Sequence, residues 1–326
     1  VPMNDDVPAT FDDGLTTKSV DGVGTYTVAA DGTVTFVPEP SFTGTAPAVT
    51  VVREDKNGTK ASATYTPSVA PIKVTPTDKV SADIQNVPQT QTPTFDLSND
   101  KTAEITSKKL VDPATGQPTD ETTVTVAGEG SYTIDPTTGA VTFTPEKDFV
   151  GTAKGVTVQA TATITNANGK TATITSDATY TPTVVAAVPT AQPATSKDIQ
   201  GATQTGKPKF TEGDSRVPMN DDVPATFDDG STTKTVDGVG TYTVAADGTV
   251  TFVPEKSFTG TAPAVTVVRE DKNGTKASAT YTPTVTPVTP TAKPVETTDI
   301  QGATQTGKPV FTEGDSRVPM NDDVPA

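Results

Sequence analysis

A block of about 100 residues returns along this chain in register. Val1–Pro67 and Val217–Pro283 differ only at Leu15/Ser231, Ser19/Thr235 and Pro40/Lys256. The stretch Val1–Ala9 begins a third time at Val318, and Asp198–Pro208 returns unchanged as Asp299–Pro309, each 101 positions on. A weaker copy of the second segment opens at Asp83, 115 positions before Asp198, so the middle unit carries 14 extra residues. A period near 100 is too long for the 20–50-residue units of solenoids and has the size of a domain with its own core. The chain is therefore expected to be a string of beads.

Inside each bead the pattern is that of strands. Thr241-Tyr242-Thr243-Val244 alternates, with Tyr242 and Val244 on one face, and alternation resumes at Val250 and Phe252 after Asp247-Gly248. Asp-Gly between two alternating runs predicts a hairpin, because glycine takes φ > 0 without strain. A second hairpin is expected from Val265-Thr266-Val267 through Asn273-Gly274 to Ala277, Ala279 and Tyr281. Composition agrees. Thr makes up roughly a fifth of the chain, and Leu occurs only at 15, 97 and 110, a bias towards strands. Low hydrophobic content, 32%, with a net charge of -16, points the other way, towards disorder.

The insertions of the middle unit decide between these. Val265 to Tyr281 spans 16 positions and its counterpart, Val156 to Tyr180, spans 24. Four residues added to each strand of a hairpin lengthen it without turning a face over, because the side-chain period is two. One further residue falls in the turn Asp135–Gly139, and five fall before Tyr132 near Asp112–Gly116. A disordered chain has no reason to respect parity, so ordered β domains are expected.

The fold class predicted is all-β: tandem β-sandwich-like repeats joined by short Pro/Thr-rich linkers into an elongated rod. The linkers are the runs 67–76, 182–193 and 283–294, whose polyproline bias makes them semi-rigid connectors or edge strands. A repeat start at the Asp-Ile-Gln segment divides the chain into 1–71 (opening segment missing), 83–186 (longer and divergent), 198–287 and the beginning of a fourth at 299–326. A start at Val-Pro-Met-Asn gives 1–100, 101–216 and 217–317 instead.

Composition also excludes chemistry. The chain has no His and no Cys, which removes Ser-His-Asp and Cys-His nucleophilic sites, most structural zinc sites, Cys-ligated iron–sulfur clusters and disulfides. No catalytic residue and no cofactor are expected. The acidic surface, pI near 4.3, repels phosphate backbones, so nucleic acid and acidic membranes are poor partners. No apolar stretch approaches ~20 residues, so no membrane insertion is expected. The absence of a signal region reads as an internal or mature segment.

Few residues invite a site reading. Asn220, Asp221, Asp222, Asp228 and Asp229, repeated at Asn4, Asp5, Asp6, Asp12 and Asp13, supply oxygen ligands of the type calcium takes. They lack EF-hand spacing and read equally as solvated turn acids. Gly238-Val239-Gly240 resembles a phosphate loop but has no following Lys-Ser/Thr or helix. Lys234 with Asn273, Asp237 and Glu255 supplies the residue types of an isopeptide crosslink, with no spacing that selects a trio. Tyr242, Phe252, Phe258 and Tyr281 read as core aromatics.

The run Asp229–Ala262, then Val265–Gly274, Ala279–Thr291 and Ile300–Asp315, resembles the CshA-type fibril repeats of streptococcal cell-surface adhesins over essentially the whole chain. The resemblance implies structural stalk repeats between an adhesive N-terminal region and a C-terminal cell-wall anchor, hence an extracellular, cell-wall-anchored location. It implies neighbouring repeats of the same chain as partners, with host proteins such as fibronectin contacted by regions outside this stretch. An alternative is that the repeats themselves bind a host protein or glycan.

Overall fold

A computed structural model describes residues 1–324. Among these the regular structure is strand throughout, and no helix is long and apolar enough to cross a membrane. The chain forms two compact units, one spanning Val1–Ala186 and the other starting at Ala187.

The second unit shows one repeat complete. Its first sheet orders Ala194–Ile199, Lys276–Thr286, Val265–Glu270 and Thr226–Phe227, with Gly260–Thr261 paired to the far end of the long strand. The opening strand runs parallel to Lys276–Thr286, with Ser196 opposite Pro283; the other pairings are antiparallel. The second sheet orders Gln204–Gly206, Val250–Pro254, Gly240–Val244 and Thr233–Val236. Alternation does what period two requires. Tyr242, Val244, Val250 and Phe252 face inward from one sheet and Phe227, Val265, Val267, Tyr281 and Val285 from the other, forming one core. The repeat is thus a β-sandwich, as expected.

Both predicted hairpins are present. Val244 pairs with Val250, and the turn closes with the Gly248 N–H on the Ala245 carbonyl and φ of 89° at Gly248. The second turn closes through the Gly274 N–H on Asp271, while the buried Asp271 carboxylate accepts the N–H groups of Asn273 and Thr275. The Gly-Val-Gly stretch is a strand start rather than a loop for a ligand. A Cβ on Gly240 would lie 2.4 Å from the Val253 carbonyl and 2.8 Å from the Phe252 ring.

In the first unit the middle repeat repeats this plan with longer strands. Val156–Thr165 and Thr171–Val185 form a hairpin with ten pairs from Val156↔Tyr180 to Thr165↔Thr171, against six in the third repeat. Four added pairs keep the buried face in phase: Val156, Val158, Ala160 and Ala162 all point inward. The strand Ala103–Asp112 replaces the two-residue Thr226–Phe227 and feeds the longer loop at Asp112–Gly116. Its core gathers Tyr132, Phe143 and Tyr180.

The Pro-rich runs do not begin where the sequence suggested. The strands continue through Pro182 and Pro283 to Val185 and Thr286. Proline lacks an N–H, but its carbonyl still serves the ladder: Pro283 accepts from Ala262, and Pro182 from Ala153. Beyond them, parts of the connectors pair into two-stranded ribbons. Val74–Thr77 lies on Thr94–Leu97, Thr190–Gln192 on Lys209–Thr211, and Thr291–Lys293 on Val310–Thr312.

The first repeat has the hairpin strands Gly24–Val28, Val34–Pro38, Val49–Glu54 and Lys60–Tyr65, with Tyr26 in its core. Among the described residues no strand lies along the outer edge of Lys60–Tyr65.

Candidate functional site

The acidic clusters resolve into ion pairs. In the third repeat Asp221 meets Arg269 at 2.6 Å, Asp222 meets Lys272 at 2.5 Å, and Lys234 lies 2.5 Å from Asp228 and 3.4 Å from Asp229. The first repeat repeats the pairs Arg53–Asp5, Lys18–Asp12 and Lys18–Asp13. The Lys272 ammonium beside Asp222 and the Lys234 ammonium beside Asp228 hold those carboxyls below their ordinary value, while Asp229 is lowered first by the Ser231 hydroxyl. Each of Asp221, Asp222, Asp228 and Asp229 faces a cation of its own chain. Among the described residues no three acidic groups converge as a metal site would require.

Lys234 also sits over the Phe227 ring at 5.5 Å. Its partner is therefore Asp228 rather than Asn273, Asp237 or Glu255, and the pair stands open to solvent. Exposed pairs of this kind contribute little to stability. Adding a chelator is expected to leave the melting temperature within about 1 °C of its starting value, as for a fold with no linked cation. Calorimetry showing a gain of several kcal/mol in millimolar calcium would place a metal among Asp221, Asp222, Asp228 and Asp229.

Tyr242, Phe252 and Tyr281 are interior. Tyr242 and Phe252 stack with centroids 4.6 Å apart, and the Tyr242 hydroxyl donates to the Pro263 carbonyl at 2.7 Å. Burial pushes the Tyr242 phenol up to about 12, with Tyr281 adding to the shift. Tyr281 bonds Ser196 at 2.6 Å. Ser196 donates to Gln204 at 2.6 Å, and the Gln204 amide donates to the Thr284 carbonyl at 3.0 Å. This partly buried network ties the opening strand to the rest of the sandwich. Phe258 packs partly buried against the same core.

What sequence reasoning missed is where one repeat touches the next. In the first unit, the lengthened hairpin of the middle repeat brings its tip against the first repeat. Asn166 donates its side-chain N–H to the Pro38 carbonyl at 2.9 Å, and Lys170 pairs with Glu39 at 2.6 Å. Ile164 and Ala167 line a cavity there with Phe36, Pro40, Phe42 and Ile72. In the second unit, Arg317 of the beginning fourth repeat reaches Asp198 of the third at 2.9 Å. The Ile199 N–H and then the Arg317 guanidinium hold Asp198 below its ordinary value. The signal for the first contact was present in the insertion around Asn168-Gly169, whose purpose only the packing reveals.

These features define a class: tandem β-sandwich repeats with polar contacts where one repeat meets the next. The family model for the surface adhesin CshA repetitive domain matches residues 1–69, 71–184, 186–285 and 287–326. The chain belongs to that family, and its role is structural, that of the stalk repeats of a bacterial surface adhesin. No curated protein matches the chain at a significant level. Solved structures with some similarity include mouse cadherin-23 EC22–24 (12% identity, 86% of each chain, TM-score 0.29). Drosophila N-cadherin EC1–4 (14% identity, 88% of this chain and 71% of that one, TM-score 0.24) and titin I67–I69 (11% identity, 86% and 99%, TM-score 0.25) are others. Similarities this low carry no inference about function.

Proposed function

We propose that these repeats are a stiff spacer that carries an adhesive region away from a cell wall to which the full protein is anchored. Host proteins such as fibronectin are contacted by that adhesive region rather than by the repeats. The repeating unit runs from a Pro-rich run, through the opening strand that contains Asp83 or Asp198, to the Tyr-Thr-Pro strand.

The observation that carries this reading is the contact of the middle hairpin tip with the first repeat through Asn166–Pro38 and Lys170–Glu39. A spacer needs restrained joints, and here extra strand length is spent on one. The ribbon Val74–Thr77 with Thr94–Leu97 shortens the free connector further. The net charge of -16 adds mutual repulsion along the array. Repeats that fold separately let such an array lengthen by duplication.

The test is to display arrays of two, four and eight repeats below one adhesive region on a cell surface. Fibril length in electron micrographs is expected to grow by a constant increment per repeat, with binding to fibronectin lost when the adhesive region is removed. Binding that persists with the repeats alone would overturn the spacer reading in favour of repeats that are themselves receptors.

A further inference from the structure

The opening and closing strands of a repeat lie side by side and run the same way. In the third repeat Ala194–Ile199 pairs in parallel with Lys276–Thr286 over six positions, from Ala194↔Tyr281 to Ile199↔Thr286. In the middle repeat Lys79–Ile84 pairs in parallel with Thr171–Val185, from Lys79↔Tyr180 to Ile84↔Val185. The other strand pairings of these two sandwiches are antiparallel. A parallel pair is slightly the weaker per residue, so stability alone does not account for its place.

Direction does. Tension along the chain enters the third repeat at Ala194 and leaves it at Thr286. In a parallel pair these two points stand at opposite ends of the ladder. Pulling on them slides one strand along the other, and all six pairs carry the load together. In an antiparallel pair both points would lie at one end, and the pairs would open one after another.

The ladder is whole despite its proline. Pro283 lies opposite Ser196, and its carbonyl accepts the Ala262 N–H at 2.9 Å on the other side of the strand. A strand residue points its N–H and C=O to the same side, so the missing donor faces Ala262 and not the opening strand. Pro182 does the same with Ala153 at 3.0 Å. Side chains lock the same two strands. Tyr281 bonds Ser196 at 2.6 Å, the Thr286 hydroxyl donates to the Asp198 carbonyl at 3.1 Å, and the Gln200 N–H donates to the Thr286 carbonyl at 2.8 Å. In the middle repeat Ser81 meets Tyr180 at 2.7 Å, the Gln89 amide donates to the Thr183 carbonyl at 2.9 Å, and the Gln85 N–H donates to the Val185 carbonyl at 2.9 Å.

We propose that the opening and closing strands form a shear clamp, which makes the middle and third repeats resist being pulled apart from their two ends. Ahead of the clamp, the ribbon Thr190–Gln192 with Lys209–Thr211 offers three pairs against six, so the clamp sets the rupture force. The clamp is a property of each sandwich. Only its use, bearing tension along a stalk, rests on the spacer reading.

Single-molecule force spectroscopy of the 326-residue chain tests this. Held by its two ends, the chain is expected to release lengths matching Lys79–Val185 and Ala194–Thr286, each in one abrupt step. The chain has no Cys, so Ala202→Cys/Pro287→Cys supplies two unique handles just past one end of the clamp. Pulling through them peels the pair from that end, and the rupture force is expected to fall at least ~2-fold at the same loading rate, because the barrier to forced unfolding is then crossed pair by pair. Val87→Cys/Ala186→Cys makes the same comparison in the middle repeat, so a variant that fails to fold in one repeat leaves the other to decide. Equal rupture forces in the two pulling directions, or gradual extension from the chain ends, would overturn the proposal. Either result leaves the fibril-length test of the spacer untouched, since that test counts repeats and applies no load.

Discussion

Replacing Gly240 with valine is expected to destabilise the third repeat strongly while leaving the middle one intact. Gly240 has φ of 151°, and the site its Cβ would occupy lies 2.4 Å from the Val253 carbonyl and 2.8 Å from both the Phe252 ring and the Pro254 Cα. The backbone and ring cannot retreat, because Gly240 pairs with Pro254 in the ladder and Phe252 stacks on Tyr242 in the core. Strained backbone and overpacking together are expected to cost at least ~4 kcal/mol, against a typical domain stability of about 5–15 kcal/mol. Gly24 and Gly130 meet the same contacts in the other two repeats, so the constraint belongs to the fold. Scanning calorimetry of Gly240→Val should show the transition of one repeat moved down by at least ~15 °C. An unchanged melting profile would show that the strand start is more plastic than this packing implies.

Truncating Tyr281 is expected to be nearly as damaging. Its ring is fully buried between the sheets, Gly206 leaves room for it, and its hydroxyl bonds Ser196 on the opening strand. Tyr281→Ala should cost about 3–5 kcal/mol through the cavity it opens. Tyr281→Phe keeps the ring and loses one hydrogen bond, with Ser196 retaining Gln204, and should cost about 1 kcal/mol. Urea denaturation reads both. Equal losses for the two variants would mean that the polar network, rather than the apolar ring, holds the opening strand. Tyr180 with Ser81 at 2.7 Å offers the same experiment in the middle repeat.

Much of the sandwich was legible because alternation is a local signal. Tyr242, Val244, Val250 and Phe252 declare their face within a dozen residues, and Gly248 marks the turn between them. The parity of the middle insertion carried the same information over a longer span. Lys276–Thr286 was harder: proline normally ends a strand, and only the partner strand shows that Pro283 sits where its carbonyl, not an N–H, is needed. The parallel pairing of Ser196 with Pro283 was illegible for a different reason, since it joins residues far apart in sequence with no turn between them. The ion pairs Asp221–Arg269 and Asp222–Lys272 likewise bridge about 50 positions, so from sequence the acids looked unpartnered. The joint contacts of Asn166 and Lys170 needed two repeats in place at once.

Small-angle scattering of the 326-residue chain at low concentration, where copies are separate, tests the spacer most directly. Strands of six to eight residues at ~3.3 Å each, with their loops and connectors, give an axial repeat of about 40–60 Å and a chain longer than ~120 Å. Such a spacer should have a radius of gyration of about 35 Å or more, independent of salt, against about 20 Å for a compact globule of this length. A value near 20 Å would mean that the repeats fold against one another side by side, which contradicts the account. A much larger value that shrinks as salt is added would contradict it equally, because a spacer needs joints that do not open with charge repulsion, as the Asn166 and Lys170 contacts restrain the one between the first and middle repeats.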